Sequence, residues 1–430
     1  MIPSPPRLPV VPDLMRRSRL PRHLEEVISL GPEANPGSGG LTQKQVDRIW
    51  KAVVSLYRTG MHPALQFCLQ RDGEVVVNRA IGHASGNGPS DRREVDKVLA
   101  TPDTPFCIFS TSKAITATVV HLLDERGKLH IGDRVADYIP EYAAHGKDAI
   151  TIGHVLSHRA GVAQIPRKLV DLDNLGDREL IVKTLCEAKP VGRPGRAQAY
   201  HTVSGGFILG EVVHRATGKS IRQVLATEIL KPLGFRWTNY GVAAKDVSKV
   251  ARAYVTGPPL LPPISTMLTR ALGVPSDQLV EASNDPRWLR SVVPAASVVS
   301  TAYELSRFFE LLRRGGDLDG VQVMEPRTVR RALTEQSYLD VDFSLGFPTR
   351  FSSGFMLGAK VLSLYGPDTE LAFGHLGFTN IIAWADPERA LAGALVSSGK
   401  SLYPGLIDVI ATMQRIGAEA PKVPRAAIHL

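Results

Sequence analysis

FCIFSTSKAITATVVHLLDERG, residues 106–127, is the stretch around which the rest of the chain is organised. Phe106, Ile108 and Phe109 form an apolar approach to Ser110. Beyond it, Ile115, Val119, Leu122 and Leu123 recur at helical spacing, and Arg126-Gly127 is a usual helix stop. The spacing predicts one helix opening at Ser110, with Lys113 one turn further along the same face. A serine hydroxyl, an amine within its reach and unpaired N–H groups at a helix start are the parts of a serine nucleophile site. The same residues also describe an N-cap serine followed by a solvated lysine, because Ser-x-x-Lys recurs by chance in many chains.

The composition is that of a water-soluble globular protein. Hydrophobic residues make up 43% of the 430-residue chain and charged residues 22%, enough apolar material for a large core. No run approaches the 18 or so uncharged apolar residues of a membrane span. The first residues, MIPSPPRLPVVPDLMRRSRLPRH, carry Pro and Arg where a secretion signal has an unbroken apolar core. Cys68, Cys107 and Cys186 stand far apart in apolar settings, which suits buried thiols in a reducing compartment. A cytoplasmic location is therefore expected. The net charge of +9 is spread along the chain, with no Lys/Arg block interleaved with aromatics, so nucleic acid is not an expected partner. Loose attachment to an anionic membrane surface or cell envelope is compatible with that charge.

Residues 1–40 read as an irregular N-terminal extension ending in Pro36-Gly37-Ser38-Gly39-Gly40. Residues 41–57 form an amphipathic helix pattern, with Val46, Ile49, Trp50, Val53 and Leu56 on one stripe. Strand-like runs at 64–70 and 74–80 flank Arg71-Asp72-Gly73, a hairpin signal. From 131 to 289 strand signals thin out and helical pieces dominate, among them 177–188 and 205–216. The Pro- and Leu-rich 255–285 segment reads either as an irregular flap over a site or as a long surface loop. Another helix is expected at 301–314, then strands at 351–357, 360–364, 381–385 and 390–396, and a last helix at 403–416. The expected class is α+β. An antiparallel sheet drawn from both chain ends is flanked by helices in one lobe (41–130 and 290–430), and 131–289 forms an inserted, mainly helical lobe.

Several familiar routes to catalysis are missing. Residues 393–401, GALVSSGKS, have one residue too many between the glycines for a phosphate loop. The Gly-x-Ser-x-Gly elbow of α/β-hydrolases does not occur. The histidines make no HExxH or paired zinc spacing, and neither a metal nor a cofactor is expected. Two other pieces can support Ser110. Tyr200 lies in a Pro/Gly-led loop before an apolar helix, with His201 and Thr202 next to it. Gly374-His375-Leu376-Gly377-Phe378 enters a strand able to line a cleft.

The order Ser-x-x-Lys, Tyr-x-Thr and His-x-Gly resembles the serine β-lactamase and penicillin-binding-protein family. More closely, it is similar to the class C β-lactamase-like branch that contains the family VIII carboxylesterases. The likeness extends to IGHVLSHRAGV at 152–162, LKPLGF at 230–235 and VSTAYEL at 299–305, and covers roughly 41–416. The resemblance implies that Ser110 attacks a carbonyl to form an acyl-enzyme while Lys113 takes or relays its proton. It implies that Tyr200 assists proton transfer, and that the backbone N–H groups of Ser110 and Phe378 stabilise the oxyanion. His375, Gly377 and Thr202 would then border the substrate. His375 stands where many penicillin-recognising relatives have lysine, and Thr202 where β-lactamases have asparagine. His158 is expected to be structural.

The resemblance implies a serine hydrolase, with a carboxylesterase or lipase on short- to medium-chain esters as the leading reading. The 255–289 region would wall an apolar acyl pocket. A β-lactamase or D-Ala-D-Ala peptidase, and a non-catalytic scaffold of the same fold, are the alternatives. The expected partner is a small-molecule ester; the oligomeric state is not legible from the chain.

Overall fold

The computed structural model describes residues 13–163, 166, 171–337, 340–346, 348–402 and 405–424. Residues 1–12 of the extension, and Tyr403 at the expected start of the last helix, lie outside the described residues. The chain opens with a short strand β1 (Ile28–Leu30), helix α1 (Gln43–Tyr57) and the hairpin β2 (Ala64–Arg71) and β3 (Glu74–Ser85). A capping box starts α1: the Gln45 N–H donates to the Thr42 hydroxyl (3.3 Å) and the Thr42 N–H to the Gln45 side chain (2.9 Å). Asp72 and Gly73 both hold positive φ (52° and 85°), the twist a two-residue hairpin turn requires.

After β4 (Phe106–Cys107) come α2 (Ser112–Glu125), α3 (Arg178–Glu187) and α4 (Ser204–Thr217), then β5 (Asn239–Tyr240), α5 (Ile264–Leu272) and α6 (Ser276–Ala282). The chain returns through β6 (Val298–Ser300), α7 (Ala302–Arg313), β7 (Met356–Leu357), β8 (Phe373–Gly377), β9 (Ile381–Asp386), β10 (Leu391–Ser397) and α8 (Gly405–Glu419). The main sheet is antiparallel in the order β1-β3-β2-β10-β9-β8-β7. The two chain ends meet at the β2–β10 pair, with Leu65 opposite Ser397 and Arg71 opposite Leu391. A small sheet, β4-β6-β5, lies before the nucleophile turn.

Both faces of the main sheet are covered, which is why its central strands are buried at every position. The two faces differ in side-chain size. Ala64, Cys68, Ala383, Ala392 and Ala394 share a core with α2 and α7, whereas Leu65, Phe67, Leu69, Trp384 and Leu395 pack with α1 and α8. Small residues on the first face let α7 sit close to the central strands.

Several expectations need correction. Part of the supposedly irregular extension is built into the sheet: β1 pairs with β3, Ile28 opposite Ile81. Arg16 reaches further, donating to the carbonyls of Gly257 (2.7 Å) and Pro258 (3.2 Å) and pairing with Asp277 on α6 (2.9 Å). The 255–285 segment is neither flap nor plain loop, since α5 and α6 lie within it. Residues 360–364 form a bend and a turn instead of a strand, and their Val361 and Leu362 are exposed. Of 351–357, only Met356–Leu357 becomes a strand, β7. No helix among the described residues is long and apolar enough to cross a membrane.

Candidate active site

Ser110 does not open the long helix. It sits in a single 3-10 turn, Phe109–Thr111, and α2 starts two residues later at Ser112. The helix is also buried on every side, from Ser112 to Asp124, not along one stripe. Several of its polar groups are bonded internally: Thr116 donates to the Pro294 carbonyl (2.6 Å), and His121 Nε2 meets that of Ser353 (2.8 Å).

The expected juxtaposition of Ser110 and Lys113 is present, at 3.2 Å between Oγ and Nζ. Lys113 Nζ also contacts the carbonyls of Thr202 (2.7 Å) and Ala295 (3.2 Å) and lies 4.7 Å from the centre of the Tyr200 ring. Only 8% of Lys113 is exposed, and no carboxylate is among these contacts. Burial pushes its amine down to about 7. A neutral amine has two N–H donors and one lone pair. The two carbonyls take the donors, which leaves the lone pair for the Ser110 hydroxyl to donate to. That is the arrangement a general base requires.

Tyr200 is buried, with the Ser110 side chain near its phenol. Burial lifts the phenol above its usual value, so it stays protonated near neutrality. Its loop is pinned by Asp342, a fully buried carboxylate with no ion-pair partner among the described residues. Asp342 accepts from the N–H groups of Tyr200 (3.1 Å), Ser344 (2.9 Å) and Leu345 (3.0 Å). His158 secures the other side. Its Nδ1 accepts the His201 N–H (3.2 Å), and its ring centre is 4.6 Å from that of Tyr200. A backbone N–H can only donate, so that Nδ1 carries no proton, in keeping with a structural His158. Burial first, and the nearby Lys113 with it, holds His201 and His375 down to about 3.

Gly377 brings β8 against the nucleophile turn. A Cβ on it would lie 2.4 Å from the Ile108 carbonyl and 2.8 Å from the Thr111 hydroxyl. This close approach sets Phe378 beside Phe109, their ring centres 5.2 Å apart. Both residues hold positive φ (39° and 47°), a strained conformation for bulky side chains that clusters at functional sites. Gly377→Ala is expected to lower kcat by about 10²-fold by parting the strand from the turn. An unchanged far-ultraviolet circular dichroism spectrum with that loss is the result to look for.

Ser110, Thr202 and Phe378 open onto a cavity of about 180 Å³ whose other walls include Phe207, Leu272, Leu279, Trp288 and Val293. The 255–289 region does wall it, and no lysine or arginine lines it among the described residues. Thr202 lies on the wall of this cavity. Its hydroxyl donates to the Ala271 carbonyl at the end of α5 (2.6 Å), while its own carbonyl orients Lys113. His375 is not on the cavity wall but 1% exposed behind Tyr200. Its Nδ1 donates to the Leu376 carbonyl (2.8 Å), and Nε2 has no partner among the described residues.

Two contributors had no sequence signal. Asp342 is 142 residues from the tyrosine it holds. Lys400, inside the stretch set aside as a false phosphate loop, is buried with Nζ 4.9 Å from the Phe109 ring centre and is pushed by burial to about 7.

The comparisons with known proteins bear on this geometry. The model of the beta-lactamase family matches residues 53–409. Esterase/beta-lactamase LipL of Mycobacterium tuberculosis (strain ATCC 25618 / H37Rv) is 26% identical over 410 residues, covering 91% of each chain. A penicillin-binding protein homolog from Caulobacter crescentus superposes with a TM-score of 0.76 at 29% identity, over 88% of this chain and 99% of that one. A family VIII carboxylesterase does so with a TM-score of 0.72 at 28% identity, over the same shares. The likeness confirms the expected α+β, β-lactamase/transpeptidase-like fold. With a match running over far more than half of its length, the chain belongs to the beta-lactamase family.

Proposed function

We propose that this protein is a serine carboxylesterase that hydrolyses short- to medium-chain esters through an acyl-enzyme. The observation that carries the reading is the Lys113 amine, stripped of solvent and of carboxylates, 3.2 Å from Ser110 at the mouth of an apolar cavity. Ser110 Oγ attacks the ester carbonyl as its proton passes to Lys113. The oxyanion forms between the N–H groups of Ser110 and Phe378, and such preorganised donors supply much of the rate. Tyr200 gives its phenol proton to the departing alcohol and is reprotonated by Lys113, whose amine is neutral again. Water then attacks the acyl-enzyme as Lys113 takes its proton, and that proton returns to Ser110 Oγ as the acid leaves. His375 Nε2, a buried acceptor without a partner, becomes a substrate contact only if the site opens toward it.

The esterase names among the relatives support this reading, and lipase action is its extension to longer chains. A β-lactam or D-Ala-D-Ala substrate carries a carboxylate, and among the described residues neither a cationic wall residue nor a charged His375 is there to meet it. A cephalosporin is therefore expected to turn over far more slowly than an ester. The opposite ranking would favour the β-lactamase reading. Reaction with neither substrate, and no labelling of Ser110 by a fluorophosphonate, would favour a scaffold.

The cavity also sets an acyl length. A cavity of about 150 Å³ accommodates a six-carbon ring, so 180 Å³ suits an acyl chain of about six carbons. Each methylene buried there contributes about 0.8 kcal/mol. Thus kcat/KM on p-nitrophenyl esters is expected to rise about fourfold per methylene up to that length and then level or fall. Ala282→Phe, which fills the cavity, is expected to shift the optimum toward acetate. A flat profile in both proteins would remove the cavity from the account.

A further inference from the structure

On its outer side α5 faces a second concavity. Val191, Arg193, Met267, Arg270 and Phe343 line an open groove of about 430 Å³. Three of these are apolar and unusually bare: Val191 is 81% exposed, Phe343 75% and Met267 46%. Leu261 and Ile264 continue the bare surface along the approach to α5, a helix with no buried residue. Clustered apolar exposure of this kind marks an interaction surface.

Among the described residues, the charge on its lining has one sign. Neither 255–276 nor 188–201 contains an acidic residue. Of the acids nearest Phe343, Asp340 is paired with Arg159 and Asp342 is buried under the Tyr200 loop. Neither Arg193 nor Arg270 forms an ion pair with a described residue.

We propose that this face docks on the surface of an anionic lipid bilayer. The apolar side chains enter the headgroup boundary while Arg193 and Arg270 meet lipid phosphates, as at other amphipathic surface helices. The net charge of +9 favours the approach. A second copy of the chain fits less well, because a two-fold pairing would set guanidinium groups against guanidinium groups. Helix α5 also links the two surfaces. Leu272 at its far end lines the Ser110 cavity, so an ester dissolved in the bilayer would have a short path to the nucleophile.

The test is cosedimentation of the full chain with phosphatidylglycerol-containing vesicles and with pure phosphatidylcholine vesicles, at low and high salt. Binding is expected to the anionic vesicles only, weakened by salt. Neutralising Arg193→Gln or Arg270→Gln is expected to weaken it about fivefold each, the equivalent of about 1 kcal/mol per arginine near such a surface. Met267→Asp with Phe343→Asp is expected to weaken it by tenfold or more. All four substitutions should leave hydrolysis of a soluble short-chain ester within twofold of the parent, which shows that folding is intact. Absence of binding to anionic vesicles, or binding insensitive to these substitutions, would overturn the proposal. So would a change in oligomeric state by light scattering with vesicle binding unaltered, which would assign the face to self-association.

Discussion

Replacing Ser110 with alanine is expected to lower kcat on a p-nitrophenyl ester by about 10³-fold or more, the usual scale for loss of a nucleophile. The variant should stay folded. Ser110 is only half-buried, and it lies outside α2. KM should change little, because the cavity walls that hold the acyl chain are untouched. Undiminished turnover in this variant would remove Ser110 from the chemistry and leave the cavity without a reacting group.

Lys113 should matter almost as much, and its effect has a pH signature. With its amine near 7, the neutral, proton-accepting form is about a tenth of the population at pH 6 and about nine-tenths at pH 8. Because the base is the unprotonated form, kcat/KM should rise with pH across this window and level off above it. Lys113→Met, which keeps the side chain apolar and nearly as long, is expected to cost 10²- to 10⁴-fold and to abolish the rise. Lys113→Arg should fare no better, since a guanidinium keeps its proton throughout the range. A pH profile unchanged in Lys113→Met would place the titrating group elsewhere. Tyr200 is not a rival for that role, because its phenol is held above its usual value, on the alkaline side of the window.

The parts of this site readable from the sequence were those written in local spacing. Ser110 and Lys113 fall three residues apart on a helical register, and Asp72-Gly73 announces a hairpin wherever it occurs. The relation of Gly377 to the nucleophile turn was legible only as a resemblance. Its physical reason, the Ile108 carbonyl where a Cβ would be, exists only in the fold. What fixes Lys113 was invisible, because its other two contacts are main-chain carbonyls, of Thr202 and Ala295, which any residue could supply. Asp342 leaves no trace either: a carboxylate satisfied by N–H groups of a distant loop looks in sequence like any surface acid.

The errors have physical causes as well. Val361 and Leu362 suggested a strand by residue type, yet they lie in bends exposed to solvent, where no partner strand meets them. In the 255–285 segment the prolines masked two helices, because they stand before and between α5 and α6 and not inside them. The division into a lobe of 41–130 and 290–430 and an inserted lobe of 131–289 remains a proposal. The cavity draws its walls from both, with Ser110 and Phe378 from one and Phe207, Leu272 and Leu279 from the other.

The central claim is that Ser110 becomes acylated in the course of turnover. Rapid acid quench of the protein mixed with p-nitrophenyl hexanoate, followed by peptide mass spectrometry, tests it directly. The account predicts one added hexanoyl group on the peptide carrying Ser110, formed in step with the burst of nitrophenol and absent from Ser110→Ala. Turnover without any adduct on that peptide, or an adduct that persists in Ser110→Ala, would contradict it.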